Sequence, residues 1–305
     1  MKVYKSTREA AGKIKNAVVT TGSFDGVHIG HKVIIDRLNQ LAREISGESV
    51  LITFHPHPRK VLYPEQKDLK LINSPDEKIE LLTKAGLDHL VIIPFSLEFS
   101  RTSSHDFITD ILVGQLQAKI VVVGHNHHFG HNRRGDYSYL HRLSEELDFE
   151  VEEIPLQDIE NETVSSTKIR KALMDGNIQR ANAYLDHQYI IKGMVANGGG
   201  IPAAPELPTI SLEIEEEEKL IPPPGIYASN VVIEGKWLKS MTFILENEKE
   251  ERRLETHLIY DSIGPGKHTA TLYFYKKVME GNVAKGHFSK DIILEAKEMV
   301  EDLIY

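Results

Sequence analysis

The sequence of 305 residues contains no cysteine. Without thiols the chain has neither disulfide bridges nor thiolate metal sites available to it. A protein that uses no disulfides fits a reducing compartment. We therefore expect a cytoplasmic location.

Long apolar runs and an excess of positive charge are also missing. No stretch approaches the roughly 18 apolar residues of a membrane-spanning helix, and segment 1–24 lacks the uninterrupted apolar core of a signal peptide. The formal net charge is −9, which argues against binding a nucleic-acid backbone by bulk electrostatics. We expect a soluble protein with neither a membrane nor a nucleic acid as partner, in which a small anionic substrate needs local positive groups.

The first part of the chain alternates short apolar segments with amphipathic ones. Nearly continuous apolar strands that alternate with helices are typical of a parallel sheet covered on both faces. This pattern predicts a doubly wound (Rossmann-like) α/β domain with ligands at the carboxyl ends of its strands. The predicted strands are 17–21, 49–54, 89–95 and 120–124, and predicted helices begin at His31 and Ser74.

The second part of the chain has a different composition. Around Asp186 the pattern changes to short β-like runs, punctuated by three glycines at 198–200 and three prolines at 222–224. Residues 289–305 place apolar side chains on one helical face. Because the chain is longer than one core usually grows, we predict two domains, 1–186 and 187–305. The second is predicted to be a small antiparallel β structure with a C-terminal helix.

The most specific motif is GSFDGVHIGH at 22–31, where the first predicted strand meets its helix. Glycines let a ligand approach the backbone closely, and the N-terminus of the following helix attracts an anion. His28 and His31 face the same pocket if both lie in the first helical turn, where imidazoles donate hydrogen bonds to phosphate oxygens. The pair is also compatible with surface capping residues or with two ligands of a metal ion.

A second motif, SSTKIR at 165–170, opens another predicted helix. Hydroxyl groups, helix N–H groups and the Arg170 guanidinium converge there on one anion, for which a triphosphate is suitable. Ser165 or Ser166 can equally serve as an ordinary N-cap.

These two motifs, in this order, resemble those of the nucleotidylyltransferase superfamily. The resemblance implies that a phosphomonoester attacks the α-phosphorus of ATP and that pyrophosphate leaves, without a covalent enzyme intermediate. Catalysis then consists of positioning and of charge neutralisation at phosphate, and the chemistry implies Mg²⁺. The implied catalytic residues are His28, His31 and Arg170.

Two further motifs narrow the resemblance to one family. TFHPHPR at 53–59 and VGHNHHFG at 123–130 each follow a predicted strand, and they are similar to motifs of the prokaryotic FAD synthetase family. In that family an FMN adenylyltransferase module precedes a riboflavin kinase module. The resemblance implies that His57, Pro58, Arg59 and Phe129 bind the flavin substrate. It implies that ATP is bound by Gly22, Phe24, Asp25, Gly30, Asn126, Ser166 and Thr167.

Histidines are concentrated in these two segments, which also suggests a metal site, because imidazole is a common zinc ligand. Close spacing on a loop does not by itself give tetrahedral geometry, so we assign no metal ligand. The family more often has an aromatic residue and an arginine where His127 and His128 stand. The histidines concerned are His55, His57, His125, His127, His128 and His131.

The second part of the chain resembles the riboflavin kinase module, a small β-barrel. The resemblance depends on Gly193, Pro208, Thr209 and the segments 224–227 and 255–258. It implies that Thr209 and Glu255 are residues of a residual kinase site. Glu255 matches the family's general base towards the flavin hydroxyl.

The glycine loop of this second module departs from the family's pattern. Pro202, Ala203 and Glu206 stand where working kinases have Gly, Arg and Gly, and Ser211 stands in place of an asparagine. Proline removes an N–H donor, and a glutamate places negative charge beside the ATP phosphates. We therefore expect little or no riboflavin kinase activity.

The leading hypothesis is that residues 1–186 transfer AMP from ATP to FMN, giving FAD and pyrophosphate. One alternative is a bifunctional enzyme that also makes FMN from riboflavin. Another is a flavin- or nucleotide-sensing regulatory protein without catalysis. Adenylyl transfer to nicotinamide mononucleotide or a phosphopantetheine precursor is discouraged by the kinase-like second part. The oligomeric state is left open.

Overall fold

The computed structural model describes residues 1–66, 69–125, 128–155, 158–159, 162–201, 204, 207–260, 267–280 and 288–304. The chain forms two compact units. Unit 1 comprises Met1–Leu69 and Lys78–Val164. Unit 2 comprises Ser165–Tyr305 together with Lys70–Glu77, which we call the inserted segment. The domain boundary expected at residue 186 stays a prediction.

Unit 1 is built, over its described residues, on a sheet of six parallel strands in the spatial order β1-β4-β3-β2-β5-β6. The strands are β1 (Lys2–Tyr4), β2 (Ala17–Thr21), β3 (Glu48–His55), β4 (His89–Pro94), β5 (Ile120–Gly124) and β6 (Glu150–Ile154). A small hairpin of β7 (Asp158–Ile159) and β8 (Glu162–Thr163) follows β6.

The helices of this part of the chain connect the parallel strands. They are α1 (Thr7–Ala10), α2 (Ile29–Glu44), α3 (Pro58–Leu62), α4 (Pro75–Lys84), α5 (Ser104–Asp106) and α6 (Tyr137–Leu147). Helix α5 continues as a π-helix, Phe107–Gln115, and short 3₁₀ turns lie at Phe99–Arg101 and His131–Arg133. The first residues of α4, up to Glu77, belong to unit 2.

Both faces of the sheet are covered, as the near-continuous apolar strands predict. Successive side chains of a strand point to opposite faces. Val18 of β2 and Val122 of β5 pack with Leu38 of α2 on one face. On the other face, Val19 and Val121 pack in a cluster with residues of the π-helix. The predicted doubly wound α/β fold is confirmed.

Element limits follow the predicted pattern closely. Strand β5 has the predicted bounds, whereas α2 begins at Ile29 rather than at His31. The reason is that His28 takes the extended backbone conformation of an N-cap, with φ −72° and ψ 174°, so that the next residue is already helical. The edge strand β1 was not predicted, because a strand of three residues is too short to show a period.

Unit 2 contains a closed antiparallel barrel with the strand order β10-β13-β12-β11-β14-β9. Its strands are β9 (Tyr189–Asn197), β10 (Ile210–Glu213), β11 (Gly225–Ile233), β12 (Lys236–Glu246), β13 (Arg252–Leu258) and β14 (Thr269–Glu280). Two helices, α7 (Ser166–Met174) and α8 (Ile178–Leu185), precede the barrel, and α9 (Lys290–Leu303) follows it. Ile293, Ala296 and Val300 of α9 are buried in the apolar cluster that includes Phe243, which confirms the predicted C-terminal helix.

Membrane-spanning helices were searched for over the same residues. Among the helices that the structure describes, none combines the length and the apolarity needed to cross a bilayer.

A buried ion pair joins the inserted segment to the barrel within unit 2. Lys219 Nζ lies 2.6 Å from Glu77 Oε2, and both side chains are fully buried. The ammonium also donates to the carbonyl oxygens of Ile72 and Ile190, at 2.5 and 2.8 Å. Glu77 Oε1 accepts the backbone N–H of Lys192 at 2.9 Å. The pair is therefore satisfied by hydrogen bonds as well as by charge, as a buried pair must be.

We expect Lys219→Met to lower the free energy of unfolding of unit 2 by about 3–5 kcal/mol, because Glu77 is then buried without its counter-charge. The measurement is urea unfolding followed by the fluorescence of Trp237, the sole tryptophan, which lies in β12 of unit 2. The control is Lys171→Met, which removes an exposed pair with Asp175 in α7 and should cost less than about 1 kcal/mol. Equal losses in the two variants would contradict this prediction.

Candidate active site

The sheet of unit 1 reverses its strand order at β2. The chain continues from β2 to β3 on one side and returns later to β5 on the other side. In a parallel sheet such a reversal opens a crevice at the carboxyl ends of the strands, where ligands bind. Segment 22–31 follows β2 directly, so the glycine and histidine motif lies at this crevice.

A tight turn connects β2 to α2. At its start the backbone N–H of Gly22 donates to the carbonyl oxygen of Ile52 in β3, at 3.0 Å. Phe24 and Val27 then take φ values of 45° and 44°, a left-handed conformation that is uncommon for side chains of these types. The turn therefore holds a strained backbone just before the N-terminus of α2, as is frequent at ligand sites.

The two histidines of the motif stack on each other. The rings of His28 and His31 have their centroids 3.7 Å apart and are inclined by 19°, and Phe24 stacks on His31 at 4.3 Å. A Cβ atom at Gly30 would lie 3.3 Å from the His28 ring, so the close approach of backbone and imidazole suits glycine. His28 is the N-cap residue of α2, but its side chain does not cap the helix. The structure thus brings both histidines to the N-terminus of α2.

The His31 ring is electrically neutral at pH 7. Burial lowers the pKa of His31 well below its ordinary value, and the nearby charges of His28 and Lys78 lower it further. Its Nδ1 atom is buried and has no hydrogen-bond partner among the described residues. Because buried polar atoms are nearly always paired, this nitrogen indicates a ligand with hydrogen-bonding oxygens.

One residue of this region was missed by the sequence analysis. Lys78 of α4 donates from Nζ to the carbonyl oxygen of Ser23 at 2.7 Å, and Thr53 Oγ1 donates to the same oxygen at 3.2 Å. The carboxylate of Asp25, which is 1% exposed, acts electrostatically on Lys78. Lys78 and Ser23 are 55 residues apart in sequence, so no local pattern could have linked them.

The predicted flavin-binding residues His57, Pro58 and Arg59 form one turn after β3. His57 is the N-cap of α3, and its Nδ1 accepts the backbone N–H of Arg59 at 3.2 Å. Pro58 occupies the first position of the helix, where a missing N–H costs nothing. The exposed Arg59 guanidinium donates to Gln66 Oε1 at 3.2 Å. Their flavin-binding role stays a prediction.

The fourth predicted flavin residue, Phe129, lies in the hydrophobic core of unit 1. It is 8% exposed and packs on Phe107, with ring centroids 5.8 Å apart. A Cβ atom at Gly135 would come within 2.5 Å of the Phe129 ring. Phe129 therefore has a packing role, and its contact with flavin stays a prediction. Asn126 and His127 lie outside the described residues.

An aromatic group that was not singled out from the sequence lies at the carboxyl ends of β3 and β4. Phe54, Phe95 and Phe99 pack together, with ring centroids 5.6 to 5.9 Å apart. Two of these rings, Phe54 and Phe99, rest on the core of unit 1 and are partly exposed. They form an apolar surface at the same edge of the sheet as the His57 turn.

The described residues contain no group of three or more His, Asp or Glu side chains arranged to hold a metal ion. Mg²⁺ commonly keeps several water ligands and takes substrate phosphate oxygens. The requirement for Mg²⁺ stays a prediction.

The second motif begins α7 in unit 2. Ser165 is the N-cap, with its Oγ accepting the backbone N–H of Lys168 at 3.4 Å. Ser166 and Thr167 are the first helical residues. One turn later, Arg170 Nε donates to the carbonyl oxygen of Lys70 in the inserted segment, at 2.8 Å. The N-cap alternative is thus confirmed for Ser165, and Ser166 and Thr167 remain as the hydroxyl groups of the motif.

The two residues of the predicted kinase site meet in the barrel of unit 2. Glu255 is 1% exposed; its Oε2 accepts the hydroxyl of Thr209 at 2.7 Å, and its Oε1 accepts the backbone N–H of Gly199 at 3.0 Å. Arg253 Nη1 lies 3.6 Å from Oε1. Pro202, Ala203 and Glu206, on which the expected loss of kinase activity depends, lie outside the described residues.

Two family models match this chain. The FAD synthetase model matches residues 11–168, and the riboflavin kinase model matches residues 185–284. The first match alone covers more than half of the chain. The chain therefore contains both the FAD synthetase part and the riboflavin kinase part.

Curated relatives carry one shared name. The chain is 32% identical to the bifunctional riboflavin kinase/FMN adenylyltransferase of Listeria monocytogenes, over 72% of this chain and 69% of that protein. It is 27% identical to the protein of the same name from Buchnera aphidicola, over 97% of this chain and 98% of that protein. These matches favour the bifunctional alternative over the expectation that the second module is inactive.

A solved structure extends the comparison to the fold. A protein of Streptococcus pneumoniae named as a macrolide-efflux protein has a TM-score of 0.84 to this chain at 24% identity, and the match covers 99% of this chain and 97% of that one. At this identity the likeness shows the fold alone.

The buried His31 ring predicts that stability falls in acid. The folded-state pKa is lower than the unfolded one, so the unfolded chain binds more protons between these two pKa values. The His31 contribution is fully present above the unfolded pKa of about 6.5 and is lost as the pH falls towards the folded value, by up to about 1.4 kcal/mol per pH unit.

Urea unfolding of the wild type and of His31→Gln, between about pH 5 and pH 7.5, measures this contribution. We expect the acid-side slope to be shallower in the variant. His141→Gln, which removes an exposed imidazole from α6, is the control. An identical slope in His31→Gln and wild type would mean that His31 is not held neutral by burial.

Proposed function

The chain belongs to the FAD synthetase family, and from this premise we propose that it transfers AMP from ATP to FMN, forming FAD and pyrophosphate. The observation that carries the proposal is the stacked His28–His31 pair at the N-terminus of α2, in the crevice where the strand order reverses. The neutral His31 imidazole and the helix N–H groups suit a phosphate chain, because both donate hydrogen bonds to its oxygens.

The reaction is a direct displacement at phosphorus. A phosphate oxygen of FMN bonds to the α-phosphorus of ATP, and the bond between that phosphorus and the oxygen bridging to the β-phosphate breaks. The electron pair leaves with pyrophosphate. No side chain becomes covalently attached, so the protein contributes positioning and charge neutralisation.

The residues divide this work among them. His28, His31 and the backbone of the Gly22–Gly26 turn hold ATP phosphate oxygens through hydrogen bonds. In the family pattern Ser166, Thr167 and Arg170 hold the departing pyrophosphate. Mg²⁺ bound with the ATP would neutralise part of the phosphate charge.

The flavin is assigned to the carboxyl ends of β3 and β4. The partly exposed rings of Phe54, Phe95 and Phe99 offer an apolar surface to a planar ring system. In the turn after β3, the exposed Arg59 guanidinium suits the phosphate of FMN. FMN is thus recognised by both of its chemical parts.

A second activity, phosphorylation of riboflavin by unit 2, is favoured by one specific contact. The buried Glu255 is hydrogen-bonded to Thr209 and Gly199, which holds a carboxylate ready to accept a proton from a hydroxyl group. The riboflavin kinase model matches this same part of the chain. We therefore favour the hypothesis of a bifunctional enzyme over the hypothesis that the second module lacks kinase activity.

Adenylyl transfer is tested with FMN, ATP and Mg²⁺, by following FAD and pyrophosphate. Wild type should form both products in equal amounts. The double variant His28→Ala/His31→Ala should lose at least about a thousandfold in rate, because two donors to the phosphates are removed. Circular dichroism checks that it is folded. If the wild type binds FMN and ATP but forms no product, the result would support the sensing alternative and contradict this proposal.

The kinase activity is tested with riboflavin and ATP, by following FMN. We expect Glu255→Gln to lower the rate of FMN formation by about a hundred- to ten-thousandfold, as removal of a general base does. The same variant should form FAD from FMN at the wild-type rate, and His28→Ala/His31→Ala should show the reverse pattern. A wild type that forms no FMN would restore the expectation of an inactive second module.

A further inference from the structure

We propose that Lys78 supplies fixed positive charge to the ATP phosphates in unit 1, as a binding residue of the adenylyl-transfer site. This inference rests on the proposed function, because it assigns a role at the same site. It concerns a residue outside every motif that the sequence analysis used.

The site needs a fixed positive charge that His31 does not provide. His31 is held neutral by burial and by its neighbours, so it offers a hydrogen bond without a full charge. A triphosphate carries several negative charges, and the chain as a whole has a net charge of −9. Local positive charge is therefore required to offset the repulsion.

Lys78 lies where such a charge is needed. Its Nζ atom is 2.7 Å from the carbonyl oxygen of Ser23, inside the turn that leads to His28 and His31. Its charge is close enough to His31 to lower the pKa of that ring. The ammonium therefore shares the pocket of the stacked imidazoles.

The Lys78 ammonium has more N–H donors than it uses in its bond to Ser23. It carries three N–H groups, and one of them bonds to Ser23. No second acceptor for Lys78 is found among the residues that the structure describes. Two N–H groups are thus left for phosphate oxygens, for which lysine is a common ligand acting as a point charge.

Two neighbours set the charge state of Lys78. Burial lowers the pKa of Lys78, because it disfavours the charged form, and the carboxylate of Asp25 acts in the opposite direction. A buried cation without a nearby anion is costly. Asp25 therefore stabilises the ammonium, and an anionic ligand would strengthen the same effect.

The decisive variant is Lys78→Gln. Its amide retains N–H donors but removes the charge. Lys78→Arg keeps both the charge and donors. Lys84→Met is the matched control, since it removes a lysine from the same helix, where its Nζ pairs with Glu80 at the surface.

The measurement is calorimetric binding of α,β-methylene-ATP with Mg²⁺ to the full-length chain, which requires no turnover. We expect Lys78→Gln to weaken binding about ten- to hundredfold, the loss of a charged hydrogen bond to the ligand. Lys78→Arg should stay within about threefold of wild type, and Lys84→Met should equal it. FMN binding should be unchanged in Lys78→Gln.

Three outcomes would overturn the inference. These are wild-type nucleotide affinity in Lys78→Gln, an equal loss of nucleotide and FMN affinity with a lowered melting temperature, and a loss in Lys78→Arg as large as that in Lys78→Gln. The proposed function fails separately, if the wild type makes no FAD. Intact FAD synthesis together with unchanged nucleotide binding in Lys78→Gln would reject Lys78 alone.

Discussion

The parallel pairing of β2 with β3 on one side and β5 on the other decides where chemistry takes place in unit 1. Because all neighbouring strands run in the same direction, their carboxyl ends share one edge. Because the strand order reverses at β2, the loops that leave that edge separate there. The turn at 22–28 lies at this gap. The left-handed backbone conformation of Phe24 and Val27 orients the start of α2 towards the gap. A ligand that carries phosphate then meets a helix N-terminus and two imidazoles.

Charge and hydrogen bonding are separated at this site. Burial, together with the nearby charges of His28 and Lys78, keeps the His31 ring neutral, which suits a group that orients a substrate without competing for protons. The fixed charge comes from a different helix, through Lys78, and Asp25 balances it before a ligand arrives. An overall net charge of −9 is thus compatible with binding a polyanion, because the field of the pocket depends on a few groups within several ångströms.

The sequence predicts the strands and helices around this site better than the side-chain contacts within it. A near-continuous apolar run specifies β5 and helical periodicity specifies α2, because these signals are local. The start of α2 was predicted at His31, whereas the structure places it at Ile29 because His28 takes the extended conformation of an N-cap. Lys78 is not predictable in this way, since its contact with Ser23 joins residues far apart in sequence.

In the barrel, the contact between Thr209 and Glu255 is likewise only partly predictable from the sequence. Thr209 and Glu255 were each predicted from a family motif, but their hydrogen bond depends on the pairing of β10 with β13. Pro202, Ala203 and Glu206, on which the expected loss of kinase activity depends, lie outside the described residues. Burying Glu255 is costly unless its oxygens are satisfied, and Thr209 and Gly199 each supply one donor. A carboxylate has about four lone-pair sites, so both oxygens keep acceptor capacity beyond these two hydrogen bonds.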